Sequence, residues 1–481
     1  MKVRKLSRID TFDIMGKWWK KDIPEDSVFG TLKYTPESIT LELVGVLCDE
    51  GDLFNFDREV PNEIYGVSVN GESFKINVLS RISASTPSPG IPGETYSVRS
   101  FLVGNYTEEF PENFDNILYN ADYLTQWIAP QVFEETRIPR DNYYKIEYSV
   151  PETRKYNIES LNSIIEETFM GNTRMDYLSN IEVKARHTSW FKIIPEQSRD
   201  IDWFLKVIRS FKGFLNLLID YTTTDENIIL RVFKSEENRY LEYKYFESIK
   251  EVKKKKKGNV QFLFDYEDLK EKFGEIMNSW FEKEDKLITI LTFHLHNFEN
   301  LYIDSKYINA VQALEIFHRR FYEGNTIEQD LYIENAEKIK RYIEDNIDNE
   351  EVKSFFLGKF KHGNEYNLGK RLKELINGLS SEVKSFLIGN SENRDRFIQK
   401  TVETRNYLTH YDMSKKTMIL KEPFEKFFNI YRMKLILIFV VLKKLGVEEK
   451  LIFDKVQKHR QMSSLLNQAK DVLNKKNKTL S

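Results

Sequence analysis

The sequence predicts an α+β multidomain chain: an antiparallel β-rich amino-terminal domain, a mixed middle region and an all-α carboxy-terminal bundle. Three observations carry this. Short stretches of alternating apolar and polar residues, separated by turn residues, fill the region from about Ser27 to Lys192. Apolar residues recur at helical spacing from Asp200 onward and dominate beyond Ile308. At 481 residues the chain is also longer than one hydrophobic core usually organises. The expected divisions are 1–195, a β-rich domain, 196–285, mixed, and 286–481, helical.

In the first third, Thr40 to Val46, Tyr65 to Val69 and Phe74 to Val78 each place apolar side chains on one face of an extended strand. Asn70-Gly71 between the last two is a two-residue hairpin signal. Tyr96 to Val103, Tyr144 to Tyr148 and Ile181 to Ala185 extend the pattern, which predicts an antiparallel sandwich or barrel. The stretch Ser85 to Gly93 holds too many Pro and Gly residues for a sheet and reads as a surface connection. Trp18-Trp19 reads as core and rim, and His187 as a structural histidine.

The middle region opens with a helix from Asp200 to Asp220, followed by strands at Asn227 to Phe233, Tyr240 to Tyr243 and Val260 to Phe264. Lys253, Lys254, Lys255, Lys256 and Lys257 precede the last of these; they read as a solvated hairpin tip and as candidate RNA-phosphate contacts. Two helices are expected at Glu267 to Phe281 and Leu287 to Tyr302. The bundle then follows as Ile308 to Phe321, Glu334 to Asn346, Leu368 to Gly378, Asn393 to Thr409, Phe424 to Leu445 and a polar helix beyond Val447.

Composition narrows the function classes. Hydrophobic content of 41% with 31% charge describes a globular chain. A net charge of −3 gives no global attraction for nucleic acid, so any RNA contact must be local. The single cysteine, Cys48, excludes an intramolecular disulfide framework and a cysteine metal cluster. No clustered Asp, Glu and His set has metal-ligand spacing, so no metal and no cofactor is expected. The most apolar run, Leu435 to Leu442, is far shorter than the roughly 20 residues of a membrane span, and the expected location is cytoplasmic.

The chemistry concentrates in Thr404-Arg405-Asn406-Tyr407-Leu408-Thr409-His410. It joins the guanidinium suited to a phosphate with the imidazole suited to proton transfer near neutral pH, which suggests RNA cleavage. With 23 Arg and 7 His, chance supplies roughly one pair at such spacing; requiring Asn after the Arg lowers this to roughly 0.07. On a straight helix Arg405 shares the stripe of Phe397, Ile398, Val402 and Leu408, where its charge needs a partner, and Glu315 is a candidate. His410 lies about 140° round from Arg405 and about 40° from Asn406. The expectation is therefore that the helix ends near Thr409 and swings His410 round, with a second copy of the chain completing the site.

A helical bundle carrying Arg405-Asn406 and, after four more positions, His410 resembles the HEPN superfamily, whose signature is Arg, a polar residue and then His. The opening Phe12-Asp13-Ile14-Met15-Gly16-Lys17-Trp18-Trp19, followed by Gly30-Thr31-Leu32-Lys33-Tyr34, resembles the amino-terminal domain of ApeA-type anti-phage defence proteins, which also end in a HEPN domain. The resemblance implies a metal-independent ribonuclease, usually dimeric, that acts on RNA during phage infection, with Arg405, Asn406 and His410 catalytic. Glu315 has no motif support and stands on geometry alone. The expected partners are RNA, a second copy through the helical domain and a phage-derived trigger at the amino-terminal domain. The competing reading is a non-catalytic RNA-binding or dimerisation protein.

Overall fold

The computed structural model describes residues 2–21, 23–47, 59–105, 109–128, 131–138, 143–175, 183–249, 260–296, 301–411 and 418–474. The chain forms two compact units, Met1–Gly274 and Glu275–Ser481. The fold is α+β, with antiparallel strands in the first unit and helices in the second.

In chain order the first unit carries β1 (Phe12–Lys20), β2 (Val28–Thr35), β3 (Ser38–Val44), β4 (Glu63–Ser68), β5 (Glu72–Ser85), β6 (Gly93–Asn105), β7 (Asn113–Phe114), β8 (Asn116–Ala121) and α1 (Leu124–Ile128). It continues with β9 (Phe133–Ile138), β10 (Tyr143–Tyr148), β11 (Lys155–Ile158), β12 (Ser163–Met175), β13 (Val183–Pro195), β14 (Arg199–Asp200), α2 (Ile201–Ile219), β15 (Asp225–Lys234), β16 (Arg239–Glu247) and α3 (Tyr266–Leu269).

Among the described residues twelve of these strands join in the order β11-β12-β13-β8-β15-β16-β6-β3-β2-β1-β4-β5, and β5 pairs again with β6. That extra pairing closes β6, β3, β2, β1, β4 and β5 into a barrel and leaves the other half an open sheet. One edge of β6 divides between the two: Gly93 to Ser97 pair with β3, and Ser100 to Val103 with β16.

The barrel follows from strict alternation. In β1, Phe12, Ile14 and Trp18 point inward and are buried, while Asp13, Met15 and Lys17 face outward. The interior is aromatic: Phe101 stacks on Phe246 at 4.9 Å, and Phe12 on Tyr34 at 4.8 Å. Each such side chain, fully buried, contributes roughly 1.5–3 kcal/mol of transfer free energy. Gly66 lets Trp18 lie flat against β4, since a Cβ there would sit 2.1 Å from the indole ring. β1 precedes the region the alternation was expected to fill. The Asn70-Gly71 hairpin is also one residue longer than its dipeptide suggests. Gly71 N–H donates to the Ser68 carbonyl at 2.9 Å, and Gly71 itself takes the left-handed conformation, φ +75°.

α2 covers the open sheet, capped by Asp200, whose carboxylate accepts from Trp203 N–H at 2.8 Å. Phe211 of α2 packs edge-on against Phe191 and Tyr119. Because β15 pairs with β8 and β16 with β6, the first part of the expected middle region lies within the amino-terminal sheet. The strand expected at Val260 to Phe264 does not form. Leu263 and Phe264 donate their N–H groups to the Ile219 and Leu218 carbonyls at 3.3 and 3.1 Å, satisfying groups that the end of α2 leaves open. His187 is structural: Nδ1 shares a hydrogen bond with Tyr148 Oη at 3.1 Å, the ring stacks on Phe169, and burial lowers its pKa.

The boundary between the units falls in the first turn of α4 (Phe273–His296). The short α3 and this one long helix stand where two helices were expected between Glu267 and Tyr302, and α4 runs unbroken across the expected gap between them. The rest are α5 (Ile303–Phe321), α6 (Gln329–Asn346), α7 (Glu350–Lys359), α8 (Leu368–Asn377), α9 (Ser381–Leu387), α10 (Ser391–His410), α11 (Pro423–Lys444), α12 (Glu449–Lys458) and α13 (Arg460–Asn474). α11 is the central helix, buried from Leu435 to Leu442 and packed against α5, α12 and α13. The expected polar terminal helix is two helices, and α13 buries Met462, Leu466, Ala469 and Leu473. Among the described residues no helix is long and apolar enough to cross a membrane.

Candidate active site

α10 carries Arg405, Asn406 and His410. Its start is fixed by Asn390, whose side-chain oxygen accepts from Asn393 N–H at 2.9 Å. Its buried stripe is Phe397, Lys400, Thr401, Thr404 and Leu408. Three of these five are polar, which is unusual for a bundle helix, and a hydrogen-bond cluster accounts for the two threonines. Asn429 of α11 donates to Tyr307 Oη of α5 at 2.8 Å and to Thr401 Oγ1 at 3.0 Å. Thr404 Oγ1 accepts from Leu420 N–H at 2.9 Å. Tyr307 is fully buried, and burial raises its pKa. Each unmatched member of such a cluster would cost about 1–3 kcal/mol, so the contacts fix the depth and rotation of α10 between α5 and α11.

That rotation aims Arg405 at α5. Its Nη2 lies 3.7 Å from Glu315 Oε2, an ion pair too long for a hydrogen bond, with the two side chains 25% and 20% exposed. Glu315 is shared, because its other oxygen accepts from Arg319 Nε and Nη2 at 3.3 and 3.2 Å. Arg319 in turn donates to Glu365 at 2.6 Å. A loosely held, partly exposed guanidinium is one that an incoming phosphate can take over.

Asn406 and His410 are exposed on the adjoining side of the helix. Glu403 and Gln399, about two and three turns back from His410, share that face and are joined at 2.9 Å. The helix does not end before His410. It runs through His410 and stops at Tyr411, which adopts the left-handed conformation, φ +52° and ψ +24°, and donates its N–H to the Tyr407 carbonyl at 2.7 Å. The expected swing of His410 is therefore absent: the imidazole stays about 140° round the axis from Arg405. The structure brings Arg405 to Glu315 but does not bring Arg405 and His410 together within one chain.

Tyr411 holds a conformation that costs an L-residue roughly 1–2 kcal/mol. Among the described residues the other non-glycine positions of positive φ are Asn162, Asp220, Asn238 and Tyr123, and three of those are the Asx types that tolerate it. The Tyr411 ring is 72% exposed and meets Tyr407 edge-on at 5.8 Å.

A second histidine sits nearby on α5 in the opposite situation. His318 is wholly buried, stacked on Tyr322, with Nδ1 3.1 Å from Arg371 Nη1 and Nε2 2.6 Å from Glu374 Oε2. A guanidinium only donates, so Nδ1 is the acceptor and Nε2 carries the proton to Glu374. Burial lowers the His318 pKa against the opposing pull of Glu374.

Lys253 to Lys257 lie outside the described residues. Among the described residues no three His, Cys, Asp or Glu side chains are grouped as metal ligands. Sequence reasoning gave no role to Tyr307, Thr401, Thr404, Asn429 or Tyr411. The threonines left a signal, standing on the apolar stripe between Phe397 and Leu408 where only a polar partner could satisfy them.

No curated protein and no solved structure matches the chain. Two family models do: Apea-like HEPN over residues 308–451, which runs from within α5 past the end of α11 and takes in Glu315, Arg405, Asn406 and His410, and ApeA N-terminal domain 1 over residues 13–280. The second match covers more than half of the 481 residues, and with the HEPN match following it, the chain belongs to the ApeA family.

Proposed function

We propose that this protein is an anti-phage defence endoribonuclease that cleaves RNA by attack of a 2′-hydroxyl on the adjacent phosphate, without a metal, at a site shared by two copies of the chain. The HEPN family is generally ribonucleolytic, and ApeA proteins act in anti-phage defence. The observation that carries the reading is the arrangement of the last two turns of α10: a guanidinium loosely held by Glu315 and, on the adjoining exposed face, an amide and an imidazole.

RNA carries its own nucleophile, so the protein needs only to move protons and offset charge. His410 takes the proton from the 2′-hydroxyl, or gives one to the departing 5′ oxygen, and the two copies divide those tasks. Arg405 leaves Glu315 for the phosphoryl oxygens as their charge grows. Asn406, on the face of His410, orients the imidazole or the phosphate. The products are a 2′,3′-cyclic phosphate and a 5′-hydroxyl. The angle of about 140° between Arg405 and His410 supports a pooled site, since one straight helix cannot aim both at one phosphate. The first unit, in this reading, senses a phage-derived cue and restrains the nuclease until it arrives.

The test is cleavage of RNA in EDTA by the full chain beside His410→Ala and Arg405→Ala. Loss of cleavage in both variants is expected. Unchanged cleavage in both would end the proposal, and RNA binding without cleavage under every trigger would favour a non-catalytic RNA-holding or dimerisation module.

A further inference from the structure

We propose that Tyr411, backed by Tyr407, is a stacking platform for an unpaired base of the RNA, next to the linkage that His410 addresses. This rests on the ribonuclease reading above and adds the class of substrate: single-stranded RNA. Tyr411 follows His410 directly, and its left-handed backbone turns the chain out of the helix. The ring is left 72% exposed instead of being folded into the bundle. Its contact with Tyr407, centroids 5.8 Å apart and planes at 65°, is edge-to-face. Such a contact occupies at most one face of either ring, leaving a π-face open to a base.

The surroundings favour a nucleic acid over a protein partner. Asn406, Thr409 and His410, on the helical turns that lead into Tyr411, are all exposed and polar. The centre of a protein interface is a packed apolar patch, whereas an exposed ring on a polar surface is how unpaired nucleotides are held. A base inside a duplex has both faces covered by its neighbours and cannot use such a ring, so the platform selects unpaired strands.

The test uses the full chain with His410→Ala, so that the strand stays intact, and a labelled RNA of about 12 nucleotides, single-stranded or annealed to its complement. Tyr411→Asn removes the ring while keeping a residue that tolerates positive φ. Tyr411→Phe keeps the ring. The single strand should bind the parent more tightly than the duplex does. Tyr411→Asn should weaken single-strand binding by about 5- to 100-fold, and Tyr411→Phe should hold it within about twofold. Duplex binding should not move.

Equal single-strand affinity in the parent and Tyr411→Asn overturns the proposal. So does a loss of affinity that accompanies a change of oligomeric mass by light scattering, which would make the ring a contact between copies. Cleavage is scored separately with His410 in place. If the wild type cleaves and Tyr411→Asn shows an unchanged KM, the platform fails while the ribonuclease stands; if Tyr411 governs binding but nothing is cleaved, the reverse holds.

Discussion

Two histidines of the second unit, His318 and His410, stand in opposite circumstances. His318 is sealed in the bundle with both ring nitrogens engaged, one accepting from Arg371 and the other donating to Glu374. His410 stands exposed on the last turn of α10, and among the described residues neither of its nitrogens has a hydrogen-bond partner. The same side chain thus serves as a bolt in one place and is left free in the other. Engaging both nitrogens fixes a tautomer and removes the proton acceptor that acid-base chemistry needs; exposure preserves it. Stability should respond at His318 and activity at His410.

The largest expected effect tests the free histidine. His410→Ala should lower RNA cleavage by roughly 10²–10⁴-fold, with a melting temperature unchanged within error. A large drop in melting temperature would erase the contrast. Arg405→Ala follows, with a loss of roughly 10²–10³-fold in kcat. Glu315→Gln should cost far less, because it releases the guanidinium without removing it.

His318→Ala should instead destabilise the helical unit by about 2–4 kcal/mol in chemical denaturation, since it opens a cavity and takes from the buried Arg371 Nη1 its acceptor. Thr404→Val, which deprives Leu420 N–H of its acceptor, should cost about 1–2 kcal/mol by the same measurement.

The smallest effect concerns pH. Burial holds the folded His318 below its ordinary titration range, so as acid is added the unfolded chain takes up the proton first. Melting temperature should decline as the pH falls below about 6.5, and His318→Gln should flatten that slope. A slope unaltered by the substitution would show that other groups set it.

How much of this was legible depended on whether the signal was local. The run from Phe397 to Leu408 declares its helix by spacing, and the pairing of Arg405 with Glu315 followed from asking what a charge on that stripe requires. The end of the helix did not declare itself. Helices of this kind usually stop at Gly or Asn, and here a tyrosine occupies the left-handed position, so His410 was expected beyond a stop that comes one residue later. Phe262 to Phe264 misled for another reason: a short apolar run has no period to separate a strand from a segment packed against a helix end. Closure of the barrel through β5 and β6 was out of reach altogether, since alternation names the face a strand buries and not the neighbour it pairs with.

Among the described residues Arg432 binds no carboxylate. The residue is 2% exposed, and its guanidinium donates from Nε to the Leu387 carbonyl at 2.9 Å and from Nη2 to the Ala469 carbonyl at 2.8 Å, joining the end of α9 to the interior of α13 through α11. Two main-chain oxygens from segments far apart in sequence thus depend on one side chain, and it on them. Trimming the chain ahead of Ala469 would take one of its two acceptors from a cation held in the interior, so α13 is a keystone of the helical unit and cannot be treated as a removable tail.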